Sequence, residues 1–293
     1  MSSWTPVQIC IAAFLLIPAL ALAFAQKRFL RFLDRVPVSV RLFSAAVGGL
    51  CYWLASGSTV YYQPKFVLIY SVLPVALVLL LWHASEVDPE QRGNWRDLAV
   101  LAALGLIVEF RVFEGAWPQH VRSLNRLLLF DTGLYGFMAV RRLSGVGFEL
   151  WPRLRDFKVG LREVAFYAPI AIPLGLAMGL LHAHRTMPGL GKFLLSFLSI
   201  FAFVALLEET YFRGWLQNLL ERRVGRTWAL VATAILFGLS HFNKGATHFN
   251  WRYVLMATFA GIFYGRAWRD ERRLFASGLT HALVDTIWLL WFR

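Results

Sequence analysis

Apolar residues in this chain fall into long runs separated by short polar gaps, and the runs recur from the first residues to the last. Crossing a hydrocarbon layer of roughly 30 Å takes about 20 mostly apolar helical residues, the length of these runs. The pattern predicts ten spans, at 7–25, 40–57, 66–82, 97–112, 124–140, 164–181, 195–221, 227–244, 252–268 and 275–292. The fourth and fifth are interrupted by Glu109, Arg111, Asp131 and Gly133, so one of them is a candidate half-span or re-entrant segment. The predicted fold is all-α, a polytopic transmembrane helical bundle of about ten spans.

Composition agrees: 58% of the 293 residues are apolar and only 16% charged, more apolar surface than a soluble core of this size can hide. The formal net charge of +13 would suggest nucleic acid in a soluble protein, but here Lys and Arg lie in short connectors between apolar runs, where they set topology and meet anionic lipid. No nucleic-acid partner is expected. With the N-terminus outside, connectors 26–41, 83–96, 141–163, 222–226 and 266–273 are cytoplasmic and hold 20 of the 30 Lys and Arg residues, against nine for the opposite side. Ala23-Phe24-Ala25 resembles a signal-peptidase site, yet the basic run follows the first apolar segment rather than preceding it, so an uncleaved first span is expected. Cys10 and Cys51 each lie inside a span and imply neither a disulfide framework nor a thiolate metal site.

Charged side chains inside a bilayer cost a few kcal/mol each and need partners. The informative ones fall after residue 200: Glu208, Glu209 and Arg213 on the seventh span, His241 on the eighth, His281 and Asp285 on the tenth. If the chain turns at Val224-Gly225, Glu208 and His241 lie at matched depth, each roughly 24 Å from the turn. His281 and Asp285 share one face of their helix, a turn apart. Glu209 and Arg213 have the favourable order and spacing for an ion pair, while neighbouring Glu208 points about 100° away and is left for chemistry.

Three motifs carry a family resemblance. Glu208-Glu209-Thr210-Tyr211-Phe212-Arg213 matches E-E-x-x-x-R, Phe237-Gly238-Leu239-Ser240-His241 matches F-x-x-x-H, and His281-Ala282-Leu283-Val284-Asp285 matches H-x-x-x-N/D. In this order they resemble the CAAX-protease and bacteriocin-processing (CPBP, or Abi) family of intramembrane proteases, over residues of about 195–292. The resemblance implies an endopeptidase in which Glu208, helped by His241, activates water while His281 and Asp285 stabilise the oxyanion, with Glu209 and Arg213 supporting. It divides the chain into N-terminal membrane helices, 1–160, of unassigned role and a catalytic membrane domain, 161–293. The implied partners are a membrane protein or peptide substrate and the lipid bilayer, and the implied location is the bacterial cytoplasmic membrane.

Asp285 departs from the Asn of better-studied members: an ionised Asp accepts hydrogen bonds but donates none, so it orients His281 or stays protonated. Glu208, His241, His281 and Asp285 are also a possible zinc ligand set, but no H-E-x-x-H is present, and a cofactor-free glutamate mechanism is favoured. The alternatives from other classes are a transporter and a non-catalytic peptide-binding scaffold; a transporter usually shows repeated halves, which are not evident here. His83, His120, His182, His184 and His248 are assigned to loops and interfaces, Glu109 and Asp131 to structural pairs with Arg111 or Arg126, and the many Trp and Tyr residues to an interfacial belt. Gly261 and Gly265 have the G-x-x-x-G spacing of closely packed membrane helices.

Overall fold

The computed structural model describes residues 4–184, 187–244 and 248–292, so Arg185 and Arg293, counted above with the outer connectors, lie outside the described residues. Among the described residues the chain is helical and has no strand. It divides into two compact units, 1–144 and 145–293.

The first unit begins with α1 (Pro6–Phe24), whose start is fixed by a capping box between Thr5 and Gln8. A short basic helix, α2 (Gln26–Asp34), leads to α3 (Val38–Ser56), α4 (Pro64–Val87) and α5 (Trp95–Glu109), the last capped reciprocally by Asn94 and Asp97. The helix α6 (Ser123–Leu134) then widens into a π-helical stretch, Tyr135–Val140. Its core is aromatic: Tyr52 stacks on Tyr70 at 5.3 Å, and the buried Trp117 indole donates to the Tyr70 hydroxyl at 2.7 Å, which donates to Asn125 at 2.6 Å. Buried Arg141 closes the unit on Asp97 at 2.9 Å and Asp88 at 2.6 Å. One expectation is corrected here. Arg126 pairs with Glu114, at 2.6 Å, because the chain after α5 turns back through Glu114–Ala116, and both carboxylate oxygens of Asp131 are buried with no hydrogen-bond partner.

The second unit is built from α7 (Leu154–Ala177), a long helical run Leu190–Leu239, α10 (Trp251–Glu271) and α11 (Leu274–Trp291). The long run breaks at Gly225, where φ 79° and ψ 168° are open to glycine and hostile to other residues, giving α8 (190–224) and α9 (226–239). This is the turn read from the sequence. The chain enters the unit along 145–153 and is held there by buried Arg273, which binds Asp156 at 2.7 Å and the Trp151 carbonyl at 2.6 Å. Trp268 adds a bond from its indole to the Val146 carbonyl at 3.0 Å.

Among the described residues, six segments are long and apolar enough to cross a membrane: Pro6–Phe24, Val38–Ser56, Pro64–Val87, Leu154–Ala177, the run Leu190–Leu239 and Leu274–Trp291. Trp95–Glu109 and the π-extended helix from Ser123 are shorter or less apolar, and Trp251–Glu271 carries Arg252, Arg266, Arg269, Asp270 and Glu271 at its ends. Ile9, Ile17, Leu68, Leu195 and Phe203 are exposed, the arrangement of helices whose outer faces meet lipid rather than water. The protein is a helical membrane bundle.

Candidate active site

The polar stripe of the second unit begins on α8. Between two π-helical stretches, Phe201–Ala205 and Thr210–Gln217, lies a single α-turn, Leu206–Glu209, carrying both acids. A π stretch inserts a residue into the helical repeat and shifts the angular phase of the residues beyond it, a device common at functional sites. The two acids are therefore framed by irregular helix on both sides.

Glu209 and Arg213 are both fully buried. Arg213 donates through Nη1 to Glu209 Oε1 at 2.8 Å and through Nη2 to the Gly261 carbonyl at 2.9 Å. Its guanidinium lies 4.6 Å from the Phe237 ring centre and 5.3 Å from that of Tyr264. The close carbonyl contact depends on Gly261, where an added Cβ would stand 3.3 Å from Arg213 Nη2 and 3.1 Å from the Ala234 backbone. The G-x-x-x-G expectation is met: α9 and α10 touch through glycines, and a Cβ at Gly265 would fall 2.6 Å from Gln217 Oε1.

The expected ion pair does more than neutralise charge. Glu209 Oε1 also receives Nδ1 of His281 at 2.8 Å. A carboxylate accepts, so Nδ1 carries a proton and Nε2 is turned the other way, toward Asp285 Oδ2 at 3.5 Å and Glu208 Oε2 at 3.9 Å. The adjacent acids leave the helix in different directions, yet both approach one imidazole, on its two nitrogens. His281 is buried, stacked on Tyr264 with ring centres 4.5 Å apart and edge-on to Phe237 at 5.7 Å.

Glu208 differs from its neighbour in environment. Its side chain is 32% accessible, while its Oε2 atom is buried with no hydrogen-bond partner. That leaves an acceptor aimed at the imidazole and uncommitted to the protein. Asp285, 38% accessible, faces the same imidazole nitrogen. Val284 and Trp288, its neighbours on α11, line an apolar cavity with Tyr167 and Met256.

His241 stands at the end of α9. Its Nδ1 lies 2.8 Å from the Phe237 carbonyl, which only accepts, so Nδ1 is protonated and Nε2 holds the lone pair. The ring packs on Phe237 at 4.8 Å and lies parallel to Tyr253 at 5.7 Å. Among the described residues, hydrogen bonds and ion pairs link Glu208, Glu209, Asp285 and His281 but do not include a direct His241 link to Glu208; Phe237 is the ring both histidines share. No group of three or more His, Cys, Asp or Glu side chains among the described residues is arranged to hold a metal ion.

Sequence reasoning missed Tyr264 and Tyr253, the rings that fix the two imidazoles. Only their positions one helical turn or less from small residues on α10 hinted at an inward face.

Residues 190–287 match the family described as type II CAAX prenyl endopeptidase Rce1-like. The matched segment contains all six polar residues named above, so the likeness to the CAAX endopeptidase family falls on the part of the chain that carries the site. No curated protein and no solved structure matches the chain.

Proposed function

We propose that the protein is an intramembrane endopeptidase that cleaves a peptide bond of a membrane-associated protein or peptide tail, with Glu208 as the general base. The reading rests above all on one observation: the imidazole of His281 is oriented by Glu209 so that its second nitrogen faces Glu208 and Asp285 inside an apolar bundle. Glu208 has the free acceptor needed to bind a water molecule and take its proton. His241, with Nε2 as its basic nitrogen, assists by accepting a hydrogen bond from the same water, and Glu208 returns the proton it took to the leaving amine.

His281 in its protonated form offers Nε2–H to the developing oxyanion, and the low dielectric of the bundle strengthens that bond. Ionised Asp285 stabilises this imidazolium rather than contacting the oxyanion itself. Arg213 keeps Glu209 ionised, and Glu209 keeps the imidazole in place. The apolar cavity beside Val284 and Trp288 suits apolar substrate residues entering from lipid.

The topology that goes with this reading has ten spans with both ends outside, in a bacterial cytoplasmic membrane. The test compares the membrane proteomes of cells carrying wild-type protein, Glu208→Gln or His241→Ala. Accumulation of the same uncut precursor in both variants, each eluting monodisperse in detergent, supports the protease; unchanged peptide ends in both favour a peptide-binding scaffold.

A further inference from the structure

At the C-terminal end of α8, beyond Glu208 and Glu209, lies a second polar site. A cavity of about 250 Å³ is lined by Gly145, Asn218, Glu221, Arg222, Arg226 and Arg272. Three separate stretches supply it: the entry segment at 145, the turn between α8 and α9, and the turn between α10 and α11. All three belong to connectors that the charge count assigns to the cytoplasmic side, so the cavity gathers basic residues at one end of the unit.

One acid, Glu221, stands among three arginines in that lining. Glu221 is buried and already committed, accepting from Arg272 at 2.5 Å and from Gln217 at 3.3 Å. Arg226 and Arg269 make no ion pair among the described residues; Arg269 instead donates to the Arg226 carbonyl at 2.8 Å and feels the repulsion of Arg226, Arg266 and Arg272 against the attraction of Glu221. Arg272 is held in place at some cost. It has a left-handed backbone (φ 53°) where glycine is usual, its carbonyl is packed against Gly147, and its guanidinium lies 4.6 Å from the Trp268 ring centre.

The rim has the character of a membrane interface. Val224 and Trp228, on either side of Gly225, are 49% and 70% exposed. Guanidinium groups clustered beside exposed Trp at the cytoplasmic end of membrane helices suit a phosphate group, which takes paired N–H donors from each arginine.

We propose that this cavity is a binding site for a phosphate-bearing anion, held by Arg222, Arg226 and Arg272. The group is offered by the headgroup of an anionic phospholipid or by free phosphate. Native mass spectrometry of the full chain, released from micelles containing equal phosphatidylglycerol and phosphatidylcholine, reads retention of each lipid; the same experiment with added inorganic phosphate separates the sources. Wild-type protein is expected to retain phosphatidylglycerol preferentially. Removing a basic residue near a membrane surface should weaken that retention about fivefold per arginine, first in Arg226→Gln and again in Arg222→Gln/Arg226→Gln. Arg92→Gln/Arg96→Gln, which removes two basic residues elsewhere, should retain it. Preference that survives added phosphate assigns the site to lipid, and displacement by phosphate with binding of phosphate alone assigns it to the free anion. No preference in wild type, or equal loss in both variant pairs, overturns the proposal; single Arg226→Gln, on an exposed side chain, gives the answer if the double variant fails to fold.

Discussion

Replacing Arg213 by Met removes the cation from a fully buried carboxylate while keeping much of the side-chain volume. Two bonds are lost, to Glu209 at 2.8 Å and to the Gly261 carbonyl at 2.9 Å. Breaking a buried pair from one side costs about 3–5 kcal/mol, because the remaining charge has neither water nor partner. Glu209 retains the His281 Nδ1 bond at 2.8 Å, so a protonated His281 takes over part of the neutralisation and the cost should sit near the lower end, about 3 kcal/mol. Glu209→Gln alone strands Arg213 and should cost a similar amount. In Glu209→Gln/Arg213→Met neither charge is stranded, and the destabilisation should fall short of the sum by about 2–3 kcal/mol. The assay is unfolding in mixed micelles with rising dodecyl sulfate, followed by Trp fluorescence. Additivity within about 0.5 kcal/mol would show that the two side chains do not depend on each other and would refute the buried-pair account.

Four further outcomes are expected, three from the geometry and one from the charge count. Gly238→Ala drives a Cβ into Thr258 Oγ1 and to 2.6 Å from the Val254 carbonyl, and should destabilise by about 1–3 kcal/mol in the same assay, whereas Gly115→Ala meets no atom within 4 Å and should be nearly neutral. Gly225→Ala forces an L-residue to φ 79° and should cost about 1–3 kcal/mol without changing the residues around His281. Asp88 lies in the connector after α4: burial alone would raise its pKa, but bonds from the Arg92 and Gly93 backbone and from Arg141 outweigh burial and hold it below the ordinary 3.8. Its stabilising contribution is therefore complete above pH 3.8 and is lost as pH falls through the lower folded-state value, so Asp88→Asn should flatten the acid limb of the stability profile below pH 3.8 and lower stability above it. Alkaline phosphatase fused after Lys65 should be active and after Arg155 inactive; the reverse pattern contradicts the proposed orientation.

Much of this was legible from spacing. The four-residue interval of Glu209 and Arg213 specifies an ion pair on any regular helix, and the turn read at Val224-Gly225, inside a short basic connector, is where the glycine takes a positive φ. The G-x-x-x-G at Gly261 predicted close packing because small residues act through backbone proximity, independent of rotamers. What spacing could not supply was the reach of each side chain around the His281 ring, 2.8 Å to one nitrogen from Glu209 and 3.9 Å to the other from Glu208. A reading at 100° per residue separates the two acids, and only the folded helix shows that both reach His281. The pairing of Arg126 with Glu114 was hidden for a related reason: it depends on a loop reversal, Glu114–Ala116, that hydropathy does not register.

The central claim is that Glu208 activates water for peptide hydrolysis, and it is tested most directly on a purified protein with a precursor identified in cells. Cleavage in water enriched in oxygen-18 should place one heavy oxygen in the new carboxyl end. Glu208→Gln, which exchanges a carboxylate oxygen without a protein partner for a neutral one, should abolish cleavage while leaving the unfolding midpoint unchanged or raised. A well-folded Glu208→Gln protein that cuts the same bond at the wild-type rate would contradict the account.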